Sequence, residues 1–192
     1  MNSLFSHEIF SNNMSTFKDT SLDDHDGTNS YMTESILPVI NFDDVKDEYI
    51  KNLGIKEPPK SNDALYFDDS GNVTFVEFKN GFVDKPKQFE VRKKIYDSCL
   101  IFTDIVGIGI SQMRKTVEYI LVYNEDANPE IIKEKESYVQ NSPSFDDIAK
   151  TISQFAKREY VGFGIDIFKN YCFKDVHTYN KKEFERFLSR LT

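Results

Sequence analysis

The chain has no tryptophan, two cysteines, three histidines and a deficit of positive charge. Each shortage removes a class of function. His7, His25 and His177 are scattered and share no ligand spacing, so neither a zinc centre nor a histidine-based triad is expected. His177 reads as a surface residue in a loop. Cys99 and Cys172 each sit among apolar neighbours in the sequence, which fits reduced thiols in a cytoplasmic protein better than a disulfide framework. No apolar run approaches a membrane span. The N-terminus lacks the basic region and apolar run of a secretory signal, and there is no internal repeat. The net charge is -8. That argues against tight autonomous binding to nucleic acid, because phosphate contacts supply most non-specific affinity.

What is present indicates a globular protein. A length of 192 residues, 39% of them hydrophobic, with seventeen Phe and ten Tyr, fits one domain with a sizeable core. Residues 1–35 differ in character. They are rich in Ser, Asn, Thr and Asp, without periodicity, and six acids against Lys18 give them a net charge of -5. They read as an acidic arm that is either flexible or ordered only on a partner. Leu4, Phe5, Ile9 and Phe10 give the arm a segment that can dock, including onto a second copy. An acidic arm lying over a basic helix would block the protein's own surface. Residues 36–192 read as a single domain, with a C-terminal α/β extension from about residue 124.

The most informative stretch is an acidic hairpin. Ser61 to Phe67 and Val73 to Gly81 flank the turn Asp68-Asp69-Ser70-Gly71-Asn72. Asp63, Glu77 and Lys79 stand in otherwise apolar strands, where charged side chains are rare. A loop of Asp69, Ser70 and Gly71 suits a type I turn closed by a bulge, with Gly71 left-handed. That loop registers Asp63 opposite Glu77, and strand alternation puts Glu77 and Lys79 on one face. A register one residue away would send Asp63 to the other face. Two readings follow from the residues. Either the three groups form a site, or a buried Asp–Lys or Glu–Lys pair simply neutralises itself.

Asp63, a gap, and then Glu77-Phe78-Lys79 on a hairpin, with an amphipathic helix next, resembles the PD-(D/E)xK nuclease superfamily. The resemblance spans roughly residues 42 to 123. Asn62 stands where the family pattern has proline. The resemblance implies a restriction-endonuclease-like α/β core: a mixed sheet, made of the acidic hairpin plus a parallel crossover strand, flanked by helices. It implies Mg²⁺ or Mn²⁺ held by Asp63 and Glu77, with the Phe78 carbonyl as a third ligand. Lys79 would then orient or deprotonate the attacking water, or stabilise the phosphorane-like charge. The family often adds a glutamate from a preceding helix, for which Glu48 is the candidate, and a Gln or Lys from the following helix, for which Gln88 and Lys94 are candidates. Glu48 reads equally well as a surface residue.

The flanking elements follow that order. Asn41 caps a helix that runs toward Gly54, with Phe42, Val45, Tyr49 and Leu53 as its buried stripe. After the hairpin, Lys85-Pro86 opens a helix read from Gln88 to about Phe102. Phe89, Tyr96, Cys99, Leu100 and Thr103 share one face, and Val91, Ile95, Ser98 and Phe102 share another. Its start is basic: Lys85, Lys87, Arg92, Lys93 and Lys94 against Glu90 give +4 over residues 85–94. With Gln88, these residues are candidates for gripping a phosphate backbone, although each lysine alone reads as solvated surface. The glycine-rich loop Gly107-Ile108-Gly109-Ile110 reads as a connection. Thr116 to Tyr123 is a nearly continuous apolar run, expected as a central parallel strand reached by a right-handed crossover.

Residues 124–143 read as a linker with a short helix at 129–137. Ser144 caps a helix to about Lys157, Tyr160 to Phe173 reads as one or two strands, and Asn180 to Leu191 as a closing helix. The leading functional expectation is metal-dependent hydrolysis of nucleic acid, DNA ahead of RNA, in the manner of microbial defence or mobile-element nucleases. The acidity implies a protein partner or a homodimer to deliver substrate, and no membrane. The alternative is a non-catalytic interaction protein that keeps the nuclease fold, such as an inhibitor or an effector-complex subunit.

Overall fold

In the computed structural model of the protein, residues 7–23, 29–68, 71–140 and 159–191 are described. Six strands form one mixed sheet: β1 (Met14–Thr16), β4 (Pro38–Asn41), β5 (Ala64–Phe67), β6 (Val73–Lys79), β7 (Val117–Tyr123) and β8 (Asp175–Asn180), in that spatial order. Two short strands, β2 (Leu22–Asp23) and β3 (Ser30–Tyr31), pair separately. From β1 to β6 the pairing is antiparallel, while β6–β7 and β7–β8 are parallel. The parallel pairs lie where both faces are covered, as the unbroken apolar run of β7 requires.

The hairpin register is the one that the turn chemistry dictates. Ala64 faces Val76, Leu65 faces Phe75 and Phe67 faces Val73. Asp69 and Ser70 lie outside the described residues. Gly71 is left-handed, with φ of +86°, and the Asp68 N–H closes the turn on the Asn72 carbonyl at 3.1 Å. One residue beyond the ladder, this register brings Asp63 level with Glu77.

Alternation along the strands gives the sheet two apolar faces. Leu65, Val73, Phe75, Tyr119, Leu121 and Val176 face one way, and Ala64, Val76, Phe78, Ile120 and Val122 the other. The first face is covered by α1 (Glu8–Asn12), α3 (Phe42–Ile50) and the long α4 (Lys85–Val106). Phe75 is the hub there, edge-on to Phe42, Phe102 and Phe173. The second face is covered by α2 (Phe17–Thr20) and α7 (Lys181–Leu188), with Phe184 edge-on to both Phe17 and Phe78.

Local signals explain the helix ends. The Asn41 side chain accepts from the Asp43 and Asp44 N–H groups at the start of α3, and Asp84 accepts from Lys87 N–H at the start of α4. Gly107, left-handed, ends α4. The loop after it leads into a helix absent from the sequence reading, α5 (Ile110–Thr116), which feeds β7. The short helix expected within the linker at 129–137 is present as α6 (Pro129–Gln140), slightly longer than expected. Asn180 opens α7 with a full capping box, bonding reciprocally with Glu183.

Several expectations need correction. The stretch read as a flexible arm is built into the fold over its described part. β1 is an edge strand of the main sheet, and Phe10 and Phe17 are fully buried. Low average hydrophobicity concealed two well-spaced aromatic anchors. Leu53 lies past the end of α3 and is 54% exposed. Of the two stripes on α4, the core takes Val91, Ile95, Ser98 and Phe102, with Cys99 and Ile101, while Phe89, Tyr96 and Leu100 face outward. Tyr160 to Phe173 forms turns and one short 3-10 segment (Asp166–Phe168) in place of strands, with Phe163, Asn170 and Gly164 at positive φ. The last strand is β8 instead, so His177 belongs to a strand and not to a loop. The helix expected from Ser144 to Lys157 lies outside the described residues.

Candidate functional site

The site forms where β5 and β6 run out past the core. The polar residues stay on the α4 face because Glu77 and Lys79 alternate in step with Val73 and Phe75. Asp63 precedes β5 and is held from two sides. Its Oδ2 accepts the Phe78 N–H at 2.6 Å, and its Oδ1 accepts from Lys94 Nζ at 2.9 Å. Glu77 is fully buried, and its Oε1 lies 2.6 Å from Lys79 Nζ and 2.7 Å from Lys94 Nζ. Those two contacts are ion pairs. Among the described residues, Glu77 Oε2 has no hydrogen-bond partner. The structure thus brings together Asp63, Glu77, Lys79 and Lys94: two carboxylates and two ammoniums, neutral as a set.

Burial dominates the electrostatics. It pushes the Glu77 carboxyl above its usual value, Asp63 pushes the same way, and Lys94 and Lys79 pull back only in part. For Lys94, burial works against the ammonium, but the Glu77 and Asp63 carboxylates outweigh it and hold Lys94 above its ordinary value. Tyr119, fully buried on β7, has its phenol raised well above normal by burial first and then by Glu77 and Asp63.

Asp43 joins this group and Glu48 does not. Asp43, in the first turn of α3, accepts a short hydrogen bond from Ser61 Oγ. Burial raises its carboxyl, with Asp63 adding to the rise and Lys94 opposing it. Glu48, one and a half turns along the same helix, is exposed and accepts from Asn13 Nδ2 at 2.8 Å. An acid in the first turn after a capping Asn was readable from the sequence as a helix-start signal. Its approach to Asp63 was not, since that depends on how β4 and β5 pair.

The basic residues of α4 disperse around the helix. Lys94 points into the site. Lys87 donates to the Phe82 carbonyl at 2.9 Å and lines the same cavity as Asp63. Arg92 donates to the Gly164 carbonyl at 2.9 Å and lies over the Phe89 ring. Lys93 is exposed on the outer side. Lys85 and Gln88 line a separate cavity of about 870 Å³, shared with Asn128, Ile131, Tyr160 and Phe163, in which none of the four grouped residues takes part. The cavity over the site is about 660 Å³. Asp43, Asp63, Phe78 and Lys79 line it together with Asp19, Asp23 and Glu90, whereas Glu77 and Lys94 lie behind its lining. Asn80 fixes the covering hairpin by donating to Asp23 Oδ2 and Ser30 Oγ, both at 3.0 Å.

The donors suit a hard divalent cation. All are oxygens, and one of them, Glu77 Oε2, is buried without a hydrogen bond among the described residues, a costly arrangement unless something pairs with it. Among the described residues no group of three His, Cys, Asp or Glu side chains is arranged to hold a metal. A cation here would therefore rely on Asp63 and Glu77, with backbone oxygen and water completing its shell. Among the described residues, no helix is long and apolar enough to cross a membrane. Comparison of the chain with family models, with curated proteins and with solved structures finds no match.

Proposed function

We propose that the protein is a metal-dependent phosphodiesterase acting on nucleic acid, DNA ahead of RNA, of the PD-(D/E)xK type. The observation that carries this reading is the buried Glu77 carboxylate, level with Asp63, with one oxygen on two lysines and the other without a hydrogen bond among the described residues. Mixed pairing around the hairpin, with β6 parallel to β7 after α4, is compatible with a restriction-endonuclease-like core.

Asp63 and Glu77 would hold Mg²⁺ or Mn²⁺, with the Phe78 carbonyl available beside them. Bound there, such an ion polarises a phosphate oxygen and lowers the pKa of its water. The chain supplies the rest. The Phe78 N–H fixes the orientation of Asp63, and before an ion binds Lys94 pairs with it. Lys79, 21% exposed at the edge of the cavity, is placed to donate to a phosphate oxygen or to orient an attacking water. Burial of Glu77 and Tyr119 excludes solvent from below. Asp43 adds negative charge on the α3 side.

One observation favours a second reading, a non-catalytic interaction protein. Asp63, Glu77, Lys79 and Lys94 neutralise one another, and the cavity carries Asp19, Asp23 and Glu90, which repel a phosphate backbone. Incubation of supercoiled plasmid, single-stranded DNA and RNA with Mg²⁺ or Mn²⁺ separates the two. The nuclease reading expects cutting by the wild type and loss of about 10²-fold or more in folded Lys79→Ala and Asp63→Ala proteins. No cutting, with no metal bound by calorimetry, would leave the interaction protein.

A further inference from the structure

We propose that Lys94 is a built-in counter-cation, occupying the place between Asp63 and Glu77 that a divalent ion would take and withdrawing when the ion binds. The inference rests on the metal-dependent reading of this site. Lys94 Nζ is 2.9 Å from Asp63 Oδ1 and 2.7 Å from Glu77 Oε1. A cation shared by the same two oxygens would sit at that point. Lys79 already serves Glu77 Oε1 at 2.6 Å, so Lys94 is the second ammonium on an oxygen that needs one. Among the described residues Glu77 Oε2 makes no hydrogen bond that an incoming ion would have to break, while Asp63 Oδ2 is engaged by the Phe78 N–H.

The side chain can move. Lys94 starts from the face of α4 that borders the cavity, on a flexible four-carbon stem, and its side chain is 17% exposed. Its ammonium and a divalent ion would repel strongly within a few ångströms in a partly buried site. The lysine therefore lowers metal affinity in the resting protein. A phosphate in the cavity would draw the displaced ammonium outward, so metal and substrate would favour each other's binding. In this account Lys94 is a positioning residue that sets when the metal loads. It is not a contact to distal nucleic acid.

The test is Mg²⁺ binding to the full chain at pH 8, by calorimetry, without nucleic acid. Lys94→Gln, whose amide can still donate to the two carboxylates, should bind Mg²⁺ at least about tenfold tighter than wild type. Lys94→Arg, which keeps the charge, should bind no tighter than wild type. Asp63→Asn should weaken binding in every background. In the wild type, the Lys94 Cε resonance should shift with the same midpoint as Mg²⁺ binding, a readout independent of how well the variants fold. Unchanged or weaker binding by folded Lys94→Gln, or a Cε signal that stays in place at saturation, would overturn the inference and leave the metal-dependent reading intact. No Mg²⁺ binding by the wild type or any variant would overturn both.

Discussion

Replacing Lys94 with methionine separates a buried charge network from an ordinary surface salt bridge. Methionine fills the stem's volume but leaves Glu77, 0% exposed, with Lys79 alone and Asp63 without its ammonium. Breaking a buried pair by removing one partner costs about 3–5 kcal/mol. Lys79 remains at 2.6 Å and Asp63 keeps the Phe78 N–H, so the lower end, about 3 kcal/mol at pH 7, is expected. That is a large share of a stability on the order of 5–15 kcal/mol. The pH dependence is the sharper signature. The Glu77 carboxyl is raised by burial even in the wild type, and loss of Lys94 raises it further. A carboxyl whose folded value lies above its unfolded one keeps a proton in the fold between those two values. The folded state therefore loses stability as pH rises through that window, by up to about 1.4 kcal/mol per pH unit. Urea unfolding of the wild type, Lys94→Met and Lys93→Met at pH 5, 6, 7 and 8 measures this. Lys93 is exposed, so its variant should stay within about 0.5 kcal/mol of wild type. A Lys94→Met protein as stable as wild type, with the same pH profile, would refute the buried network.

Three further outcomes are expected. Phe17→Ala should cost about 3–5 kcal/mol in denaturant unfolding, because Phe17 is fully buried against Tyr66 and Phe184; a change below 1 kcal/mol would mean that the N-terminal segment does not pack on the sheet. Asn180→Ala should lower stability by about 1 kcal/mol through loss of the α7 capping box, and Asn180→Ser, which keeps a capping oxygen without a charge facing Glu125, should recover most of it. His177 sits 2.6 Å from Glu159, and although burial opposes its charge, Glu159 and Asp175 hold its pKa above the usual value. Its contribution to stability should be complete below about pH 6.5 and fade as pH rises through the higher folded value; NMR titration of His177 should show the raised value and Glu159→Gln should lower it.

What could be read in the sequence was local chemistry. The capping Asn41, the left-handed Gly71 and the alternation Val73-Phe75-Glu77-Lys79 each act within a few residues, so helix start, register and shared face followed from residue types alone. The apolar run of β7 announced a buried parallel strand for the same reason. Where several signals competed, local reading failed. Phe89, Tyr96 and Leu100 make as regular a stripe on α4 as the one that is buried, and only the position of the sheet chooses between them. The Tyr160 to Phe173 segment carries strand-forming residues, but its positive-φ positions interrupt any ladder.

Asp63, Glu77 and Lys79 were placed on one face by the sequence, because hairpin register is set by a five-residue turn. Which other groups reach them was settled by tertiary packing. Pairing of β4 with β5 carries Asp43 beside Asp63, and α4 crossing the sheet delivers Lys94 between the carboxylates while sending Lys93 to the outside. The same packing buries Glu77, leaves its Oε2 without a hydrogen bond among the described residues and brings the buried Tyr119 within its electrostatic reach. Charge and alternation are properties of a chain. Burial, and the distances at which charges meet, exist only once separate elements have been brought together.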